Sequence, residues 1–189
     1  MDLSNYLSST KLVNAVLLKV AWVACVIGGN WYGFAVVLAI LGMSIYQRSF
    51  AQDWPFALGL GLFGLVLDSA WMLFGVLDYG ASAGPAFAGI SLAPAWIVLL
   101  WITVGFSLNH GLTFFVDRPL LGALIVGVSA PFSYMAGESF VAVVIPSYEN
   151  LVILGTVWVL VFYAVFTLAK NVNAEHAQKQ KSAQAVPAI

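Results

Sequence analysis

The sequence predicts an all-α polytopic membrane protein, a bundle of about six transmembrane helices with both ends on the cytoplasmic side. Three observations predict this fold class. The 189 residues are 62% hydrophobic and only 8% charged, whereas soluble domains carry about 25% charged residues. Apolar runs long enough to cross a bilayer recur along the chain. The basic residues fall into alternate loops, as they do in membrane proteins of defined orientation.

Six apolar segments approach the length that a bilayer core requires, roughly 20 residues each. Because backbone polar groups must be satisfied within such a segment, each is predicted as a helix. Gly28, Gly29 and Asn30 form the turn between the first two helices, since glycine tolerates positive φ. Pro55 and Pro94 suit the first turn of the third and fourth helices. The predicted helices are about 12–28, 31–46, 54–77, 94–115, 120–137 and 151–169.

The end of the fifth helix stays open at this point. Apolar sequence continues past Pro131 and Glu138 to Ile145. Either one long kinked helix or a helix ending near Gly137, followed by an interfacial segment, fits this pattern. We expect residues 1–169 to form a single transmembrane domain. Residues 170–189 form a polar cytoplasmic tail that extends the last helix briefly before becoming disordered.

The loops set the predicted orientation, because positive residues gather on the cytoplasmic side. Alternate loops contain the acids Asp78, Glu138 and Glu149 without any Lys or Arg. The other loops and the tail contain six basic residues: Lys11, Arg48, Arg118, Lys170, Lys179 and Lys181. Both termini are therefore expected in the cytoplasm.

Composition also narrows the function classes. The net charge of −1 and seven scattered Lys and Arg residues give no basic patch for nucleic acid. The single cysteine, Cys25, excludes an intramolecular disulfide and any multi-cysteine metal site. Motifs of hydrolases, zinc proteases and nucleotide-binding proteins are absent from the sequence. We therefore predict no cofactor, no metal site and no catalytic residues. The expected partner is the lipid bilayer. A small-molecule or lipid ligand, a second copy of the chain and another membrane protein are open options.

Ionisable residues inside a spanning segment are costly and mark a function or a specific pairing. Asp68 shares one helical face with Ala57, Gly61, Gly64 and Gly75, and small faces permit close helix packing. We therefore expect Asp68 to point into the bundle. It is either a proton, cation or ligand site, or a structural carboxyl bonded to a neighbouring helix.

His110 continues a predicted helical face with Thr103, Ser107 and Phe114, and Asn109 is rotated from it by about 100°. A histidine here is either a proton shuttle or ligand contact, or one partner of an interhelical hydrogen bond. Zinc is not expected, because one histidine with distant carboxylates is a poor ligand set.

Three weaker candidates complete the set. Lys19 either extends to the headgroups or pairs with an acid inside the bundle. The segment 127–138 contains Pro131 and Tyr134, and such a kink either lines a cavity or is tolerated by its neighbours. Glu138 is placed near the outer surface. The predicted ligand or proton pathway is Asp68, Asn109, His110, Lys19, Tyr134 and Glu138.

Three stretches resemble a domain-of-unknown-function family of small inner-membrane proteins of Gram-negative bacteria. They are WVACVIGGNWYG at 22–33, PAWIVLLWITVGFSLNH at 94–110 and APFSYMAG at 130–137. The resemblance covers the chain from about residue 14 to 169. It implies a location in the bacterial inner membrane and brings no established activity or catalytic residue.

The polar groups on helix faces favour a small transporter or a lipid- or ligand-binding membrane protein, with proton coupling as an option. A membrane-embedded enzyme acting on a lipid or quinone ranks lower, because no complete catalytic set is present. An accessory subunit of a membrane complex is a third reading, since the sequence contains no soluble domain.

Overall fold

The computed structural model describes residues 8–184, which form an all-α bundle with one small hairpin, so the predicted fold class is confirmed. Residues 1–7 of the predicted domain and 185–189 of the predicted tail lie outside the described residues. The antiparallel strands are β1 (Ala86–Phe87) and β2 (Ile90–Ser91), after a 3₁₀ turn at Gly80–Ser82. The helices are α1 (Ser9–Tyr46), α2 (Phe50–Leu73), α3 (Ala95–Ser107), α4 (Thr113–Asp117), α5 (Pro119–Ser139) and α6 (Asn150–Gln184).

Four of these helices, α1, α2, α5 and α6, are long and apolar enough to cross a membrane. The apolar helix α3 has only 13 residues, which is about 20 Å of rise. Every residue of α3 after Ala95 is buried or half-buried. Since the other helices enclose it, α3 is the central element of the bundle.

The first helix is a hairpin of two arms. Gly29 has φ 67° and ψ −152°, outside the helical region. A Cβ on Gly33 would lie 2.7 Å from the Cys25 sulfur, whereas residues eight apart in a straight helix are separated by about 12 Å. The chain therefore reverses at Gly29, which coincides with the turn predicted between the first two helices. Helix α1 thus supplies two apolar segments to the bundle.

Several predicted helix ends need correction. The predicted fourth helix, 94–115, is wrong at its end, because α3 stops at Ser107 and residues 108–112 form turns before α4. The predicted third helix, 54–77, ends earlier, at Leu73. Helix α5 runs through Pro131 and ends at Ser139, close to the predicted end near Gly137, and irregular chain follows it. Helix α6 continues to Gln184, well beyond the brief extension predicted for the tail.

Three helices end with a residue of positive φ: Arg48 after α1, Gly75 after α2 and Val141 after α5. At each, an amide two residues past the last helical turn bonds back to a carbonyl inside the helix, as in the Schellman motif. The Ser49 amide bonds the Ser44 carbonyl at 3.0 Å. This bond brings Ser44 and Ser49 together beside the start of α2.

Small residues set the distance between helices. A Cβ on Gly105 of α3 would lie 2.6 Å from the backbone nitrogen of Ala57 in α2. A Cβ on Gly155 of α6 would lie 2.9 Å from the carbonyl oxygen of Gly127 in α5. These close approaches are typical of helix pairs in membranes. The small face predicted for α2 is therefore the face that packs against α3.

Contacts between loops show which chain ends lie together. At one end, Asp78 and Val144 exchange backbone hydrogen bonds of 3.0 and 2.7 Å, which joins the loops after α2 and α5. At the opposite end, the Asn14 side chain accepts a bond from the Gly111 amide. Asn173 of α6 also bonds there, to Asn109. The start of α1 and the end of α6 therefore lie on the same side of the bundle.

We expect Gly105→Ala to lower the free energy of unfolding by about 1–3 kcal/mol, because overpacking displaces the α3 backbone from α2. Thermal unfolding in detergent, followed by circular dichroism, measures the effect. The control is Gly59→Ala, since a Cβ at Gly59 meets nothing within 4 Å. The control is expected to be neutral or stabilising by up to about 1 kcal/mol. Equal unfolding temperatures for the two variants would contradict the close α2–α3 contact.

Candidate functional site

A fully buried carboxylate, Asp53 in the first turn of α2, is the centre of the most polar cluster in the described chain. Its Oδ2 atom accepts hydrogen bonds of 2.6 Å from the Ser44 and Ser49 hydroxyls. His110 Nε2 lies 2.8 Å from the same oxygen. Asn109 Nδ2 donates to Oδ1 at 2.9 Å. Four side chains from three parts of the chain therefore meet at one acid.

The helix start favours a negative charge at Asp53. The amides of the first helical turn form the positive end of the helix dipole, which stabilises a carboxylate there. No Lys or Arg is ion-paired with Asp53 in the described residues; its pairing partner is His110. The side chain of His110 is 12% exposed and that of Asp53 is 0% exposed. His110 is therefore partly exposed beside an acid that is not, and Ser49 and Asn109 are half-buried in the same way.

The turn that follows α3 brings Asn109 and His110 to the same carboxylate. Because the helix has ended at Ser107, the 100° separation expected for consecutive helical residues does not apply, and the predicted helical face through His110 is wrong. The Gly111 amide donates to Asn14 Oδ1 at 3.0 Å, and Thr113 Oγ1 donates to the His110 carbonyl at 2.9 Å. A Cβ at Gly111 would lie 2.7 Å from the Ala15 nitrogen. Glycine is therefore required where this turn packs on α1.

Ser49, His110 and Asp53 do not form a catalytic triad. In a triad, the two ring nitrogens of histidine separate the serine from the acid. Here the same nitrogen, Nε2, lies 3.1 Å from Ser49 Oγ and 2.8 Å from Asp53. Ser49 itself donates to the carboxylate. The arrangement therefore stabilises the negative charge of Asp53 and does not activate Ser49 as a nucleophile.

Asp68 occupies a second buried site further along α2. Its Oδ1 atom accepts a 2.6 Å bond from the Tyr79 hydroxyl, and its Oδ2 atom accepts a 2.8 Å bond from Trp101 Nε1. Burial raises the pKa of the Tyr79 hydroxyl well above its ordinary range, and the nearby Asp68 charge acts in the same direction. Tyr79 therefore remains a hydrogen-bond donor, and both oxygens of Asp68 have a partner.

Aromatic rings surround this second site. Trp101 contacts Trp158 with ring centroids 4.9 Å apart and Phe162 at 6.0 Å. Tyr134 stacks on Trp158 at 6.4 Å and also interacts with Tyr79. These contacts join α3 to α5 and α6 around Asp68. Of the two sequence interpretations of Asp68, the geometry favours the structural carboxyl.

The remaining predicted site residues lie apart from Asp53. Glu138 accepts a 2.9 Å bond from the Ile145 amide and caps the chain after α5 at the opposite end of the bundle. Lys19 is exposed on α1, and no ion pair joins it to an acid within residues 8–184, so the proposed pairing inside the bundle is not observed. Ser129 and Ser133 bond the backbone of their own helix. The residues of the predicted pathway therefore do not form one continuous site. They lie in two separate clusters, around Asp53 and around Asp68, or stand apart from both.

Sequence reasoning missed Asp53, because it was placed in the loop before the predicted third helix. The signal was present in the spacing. Asp53 precedes Ala57 by four residues, so the small face of Ala57, Gly61, Gly64 and Asp68 extends back to it by one helical turn. Ser44, Ser49 and Asn173 gave no such signal, since their role depends on how the chain turns. Among the residues described, no group of three His, Cys, Asp or Glu side chains is arranged for a metal.

Comparison with known proteins gives the family. The model of a family described as "Protein of unknown function (DUF2878)" matches residues 11–164. The chain belongs to this family. No curated protein and no solved structure matches it.

The matched region of this DUF2878 protein contains most of the polar cluster. Ser44, Ser49, Asp53, Asn109 and His110 all lie inside residues 11–164. Asn173, which bonds Asn109, lies beyond the matched region. The cluster is therefore built mainly from the family domain, with one contribution from the end of α6.

We expect Tyr79→Phe to lower the free energy of unfolding by about 1–3 kcal/mol, because it leaves one oxygen of the buried Asp68 without its donor. Chemical unfolding in detergent, followed by tryptophan fluorescence, measures this loss. Tyr148→Phe is the control, since Tyr148 is 65% exposed and its 3.3 Å bond to Glu138 is long. If the two variants unfold alike, the Tyr79–Asp68 bond does not stabilise the fold.

Proposed function

We propose that this DUF2878 protein is a multi-pass protein of the bacterial inner membrane that transports or binds a small molecule or lipid, and that its activity is linked to protonation of the Asp53–His110 pair. Both termini are cytoplasmic in this proposal. The observation that carries it is the fully buried Asp53 carboxylate bonded to a partly exposed histidine. An ionisable residue inside a membrane helix is costly and is a candidate functional site, and at Asp53 the partner is itself able to titrate.

The orientation is supported by the distribution of charge over the two ends of the bundle. The end that contains Asn14, Asn109 and Asn173 also contains the basic residues of the turns and of α6. The opposite end contains Asp78, Glu138 and Glu149. By the positive-inside rule, the first end faces the cytoplasm, and so does His110.

Labelling of single cysteines tests the orientation. The native Cys25 is 1% exposed and is replaced by alanine in both variants. A membrane-impermeant maleimide is expected to label Ser82→Cys in intact spheroplasts, because Ser82 is exposed in the acidic end. Ser182→Cys, exposed near the end of α6, is expected to react only after permeabilisation. The reverse pattern would place the termini outside.

Protonation of the pair changes the strength of the bonds that hold this end of the bundle together. Asp53 receives bonds from the end of α1, the turn before α2 and the turn after α3. A bond to an ionised acceptor contributes about 1 kcal/mol more than a neutral one. Over four bonds the difference is about 4 kcal/mol, whereas a shift from 1:99 to 99:1 between two conformers takes about 5.5 kcal/mol. Proton transfer at this acid is therefore large enough to change the population of two arrangements.

The pair suits this role because histidine changes charge near neutral pH. A proton on His110 forms an ion pair with Asp53, and loss of that proton leaves a buried carboxylate with neutral donors only. The alternative of a lipid or quinone enzyme gains no support from the same residues, since Nε2 of His110 contacts both Ser49 and Asp53.

The test of this function is lipid and metabolite profiling of a strain that lacks the gene. We expect at least one compound to change on deletion and to be restored by the wild-type protein. Asp53→Asn and His110→Asn are expected to restore it at least about tenfold more slowly, which corresponds to about 1.4 kcal/mol in a rate-limiting barrier. Asp53→Asn keeps the size of the side chain, His110→Asn keeps a polar amide in place of the ring, and both changes remove the titrating group.

His176→Asn is the matched control, because His176 is exposed on α6. It is expected to restore the compound fully. Membrane levels and unfolding temperatures of all variants identify any that fail to fold, and His110→Asn carries the test if Asp53→Asn does not fold. Full restoration by His110→Asn, or no changed compound under several growth conditions, would overturn the proposal.

A further inference from the structure

We infer that Asn173 of α6 is a positioning residue for the Asp53–His110 pair and acts through Asn109. This inference rests on the proposed function, because it concerns the same buried acid. Asn173 Nδ2 lies 3.0 Å from Asn109 Oδ1, and Asn109 Nδ2 lies 2.9 Å from Asp53 Oδ1. Asn173 lies past the predicted last span, 151–169, and past the region that matches the family. The end of α6 is thus connected to an acid in the first turn of α2.

The direction of this relay is fixed by chemistry. An ionised carboxylate only accepts hydrogen bonds, so Asn109 must present its amide nitrogen to Asp53. The carbonyl oxygen of Asn109 then faces Asn173, which must in turn present its own amide nitrogen. The orientation of the Asn109 amide is therefore set by Asp53, and the orientation of the Asn173 amide is set by Asn109. Asn173 therefore holds the Asn109 amide in the orientation that stabilises the Asp53 charge.

In the described part of the chain, the Asn109 side chain is oriented by two hydrogen bonds, one to Asp53 and one from Asn173. It lies in the turn after α3, where no helix restricts it, and it is half-buried. The carbonyl and amino ends of an asparagine have almost the same shape, so packing alone discriminates poorly between them. A flipped Asn109 would place its oxygen against Asp53, where two acceptors repel. The Asp53 charge would then depend more on His110, the next residue, which would hold its proton more tightly.

The effect of Asn173 on the Asp53–His110 pair is measured at His110, among the following contacts and charges. The described side chains in contact with Asp53 are Ser44, Ser49, Asn109 and His110. The charged or titratable residues of the elements around this end are Lys11 on α1, Arg48 in the turn before α2, Asp117 and Arg118 at α4, and Lys170, Glu175, His176, Lys179 and Lys181 on α6. The ion pair observed at Asp53 is with His110, at 2.8 Å.

The experiment is a pH titration of the His110 ring by nuclear magnetic resonance in detergent micelles. The chain has two histidines, so His176→Gln leaves His110 as the single labelled ring. In this background we compare the unchanged Asn173 with Asn173→Asp and Asn173→Ala. Asn171→Asp is the matched control, because it adds the same charge at an exposed position of the same helix.

Asn173→Asp puts an acceptor where a donor is needed, so Asn109 turns its amide nitrogen toward the new carboxylate and leaves Asp53. We expect the midpoint of the His110 titration to rise by about one pH unit, the size of one charge-assisted hydrogen bond. Asn173→Ala is expected to raise it by about half as much. Asn171→Asp is expected to move it by less than about 0.2 units, since exposed charges are screened.

A double-mutant cycle separates orientation from charge. In an Asn109→Ala background the relay is absent, so Asn173→Asp is expected to have no more effect than Asn171→Asp. An unchanged midpoint in Asn173→Asp, or the same shift with and without Asn109, would overturn the positioning role. If Asp53→Asn leaves the His110 titration unchanged, the proton pair of the proposed function fails instead. The two failures are therefore distinguishable.

Discussion

The removal of the Asp53 carboxylate from solvent is the constraint on which this end of the structure depends. A buried charge without partners is too costly to persist, and breaking a buried pair removes about 3–5 kcal/mol. The chain meets the requirement with donors from separate elements: Ser44 at the end of α1, Ser49 before α2, and Asn109 and His110 after α3. The turns that connect these elements must therefore adopt the conformations observed.

The turn after α1 illustrates that dependence. Arg48 takes a positive φ of 58°, a conformation that costs most L-residues about 1–2 kcal/mol. The resulting Schellman turn lets Ser49 bond the Ser44 carbonyl and reach Asp53. Helix α3 stops at Ser107, just before the polar Asn109 and His110, and the following turn supplies both of them as donors to the acid. At Arg48, the backbone thus adopts a costly conformation where the carboxylate needs partners.

The sequence was sufficient for the fold class and for the face of α2 that packs on α3, because both depend on composition and helical spacing. It also located the reversal at Gly29, where glycine is required by backbone geometry. It was insufficient for Asp53, since a residue next to a predicted boundary was assigned to a loop. Asn173 was equally invisible, because a polar residue in a tail has no pattern that distinguishes a buried contact from a solvated face. The first error comes from a helix start predicted at residue 54 instead of 50, and the second from an interaction between residues far apart in the chain.

The two buried acids of α2 differ in what their partners are able to do. Asp68 is bonded by a phenol and an indole, and neither donor changes its charge near neutral pH. Asp53 is bonded by a histidine, which does change its charge there. The donors of Asp68 therefore keep the same charge across physiological pH, whereas the donor of Asp53 belongs to a residue type that gains or loses a proton there. The two acids lie some 15 positions apart on α2, about 22 Å along the helix, and the proposed function assigns proton coupling only to the acid that has the histidine partner.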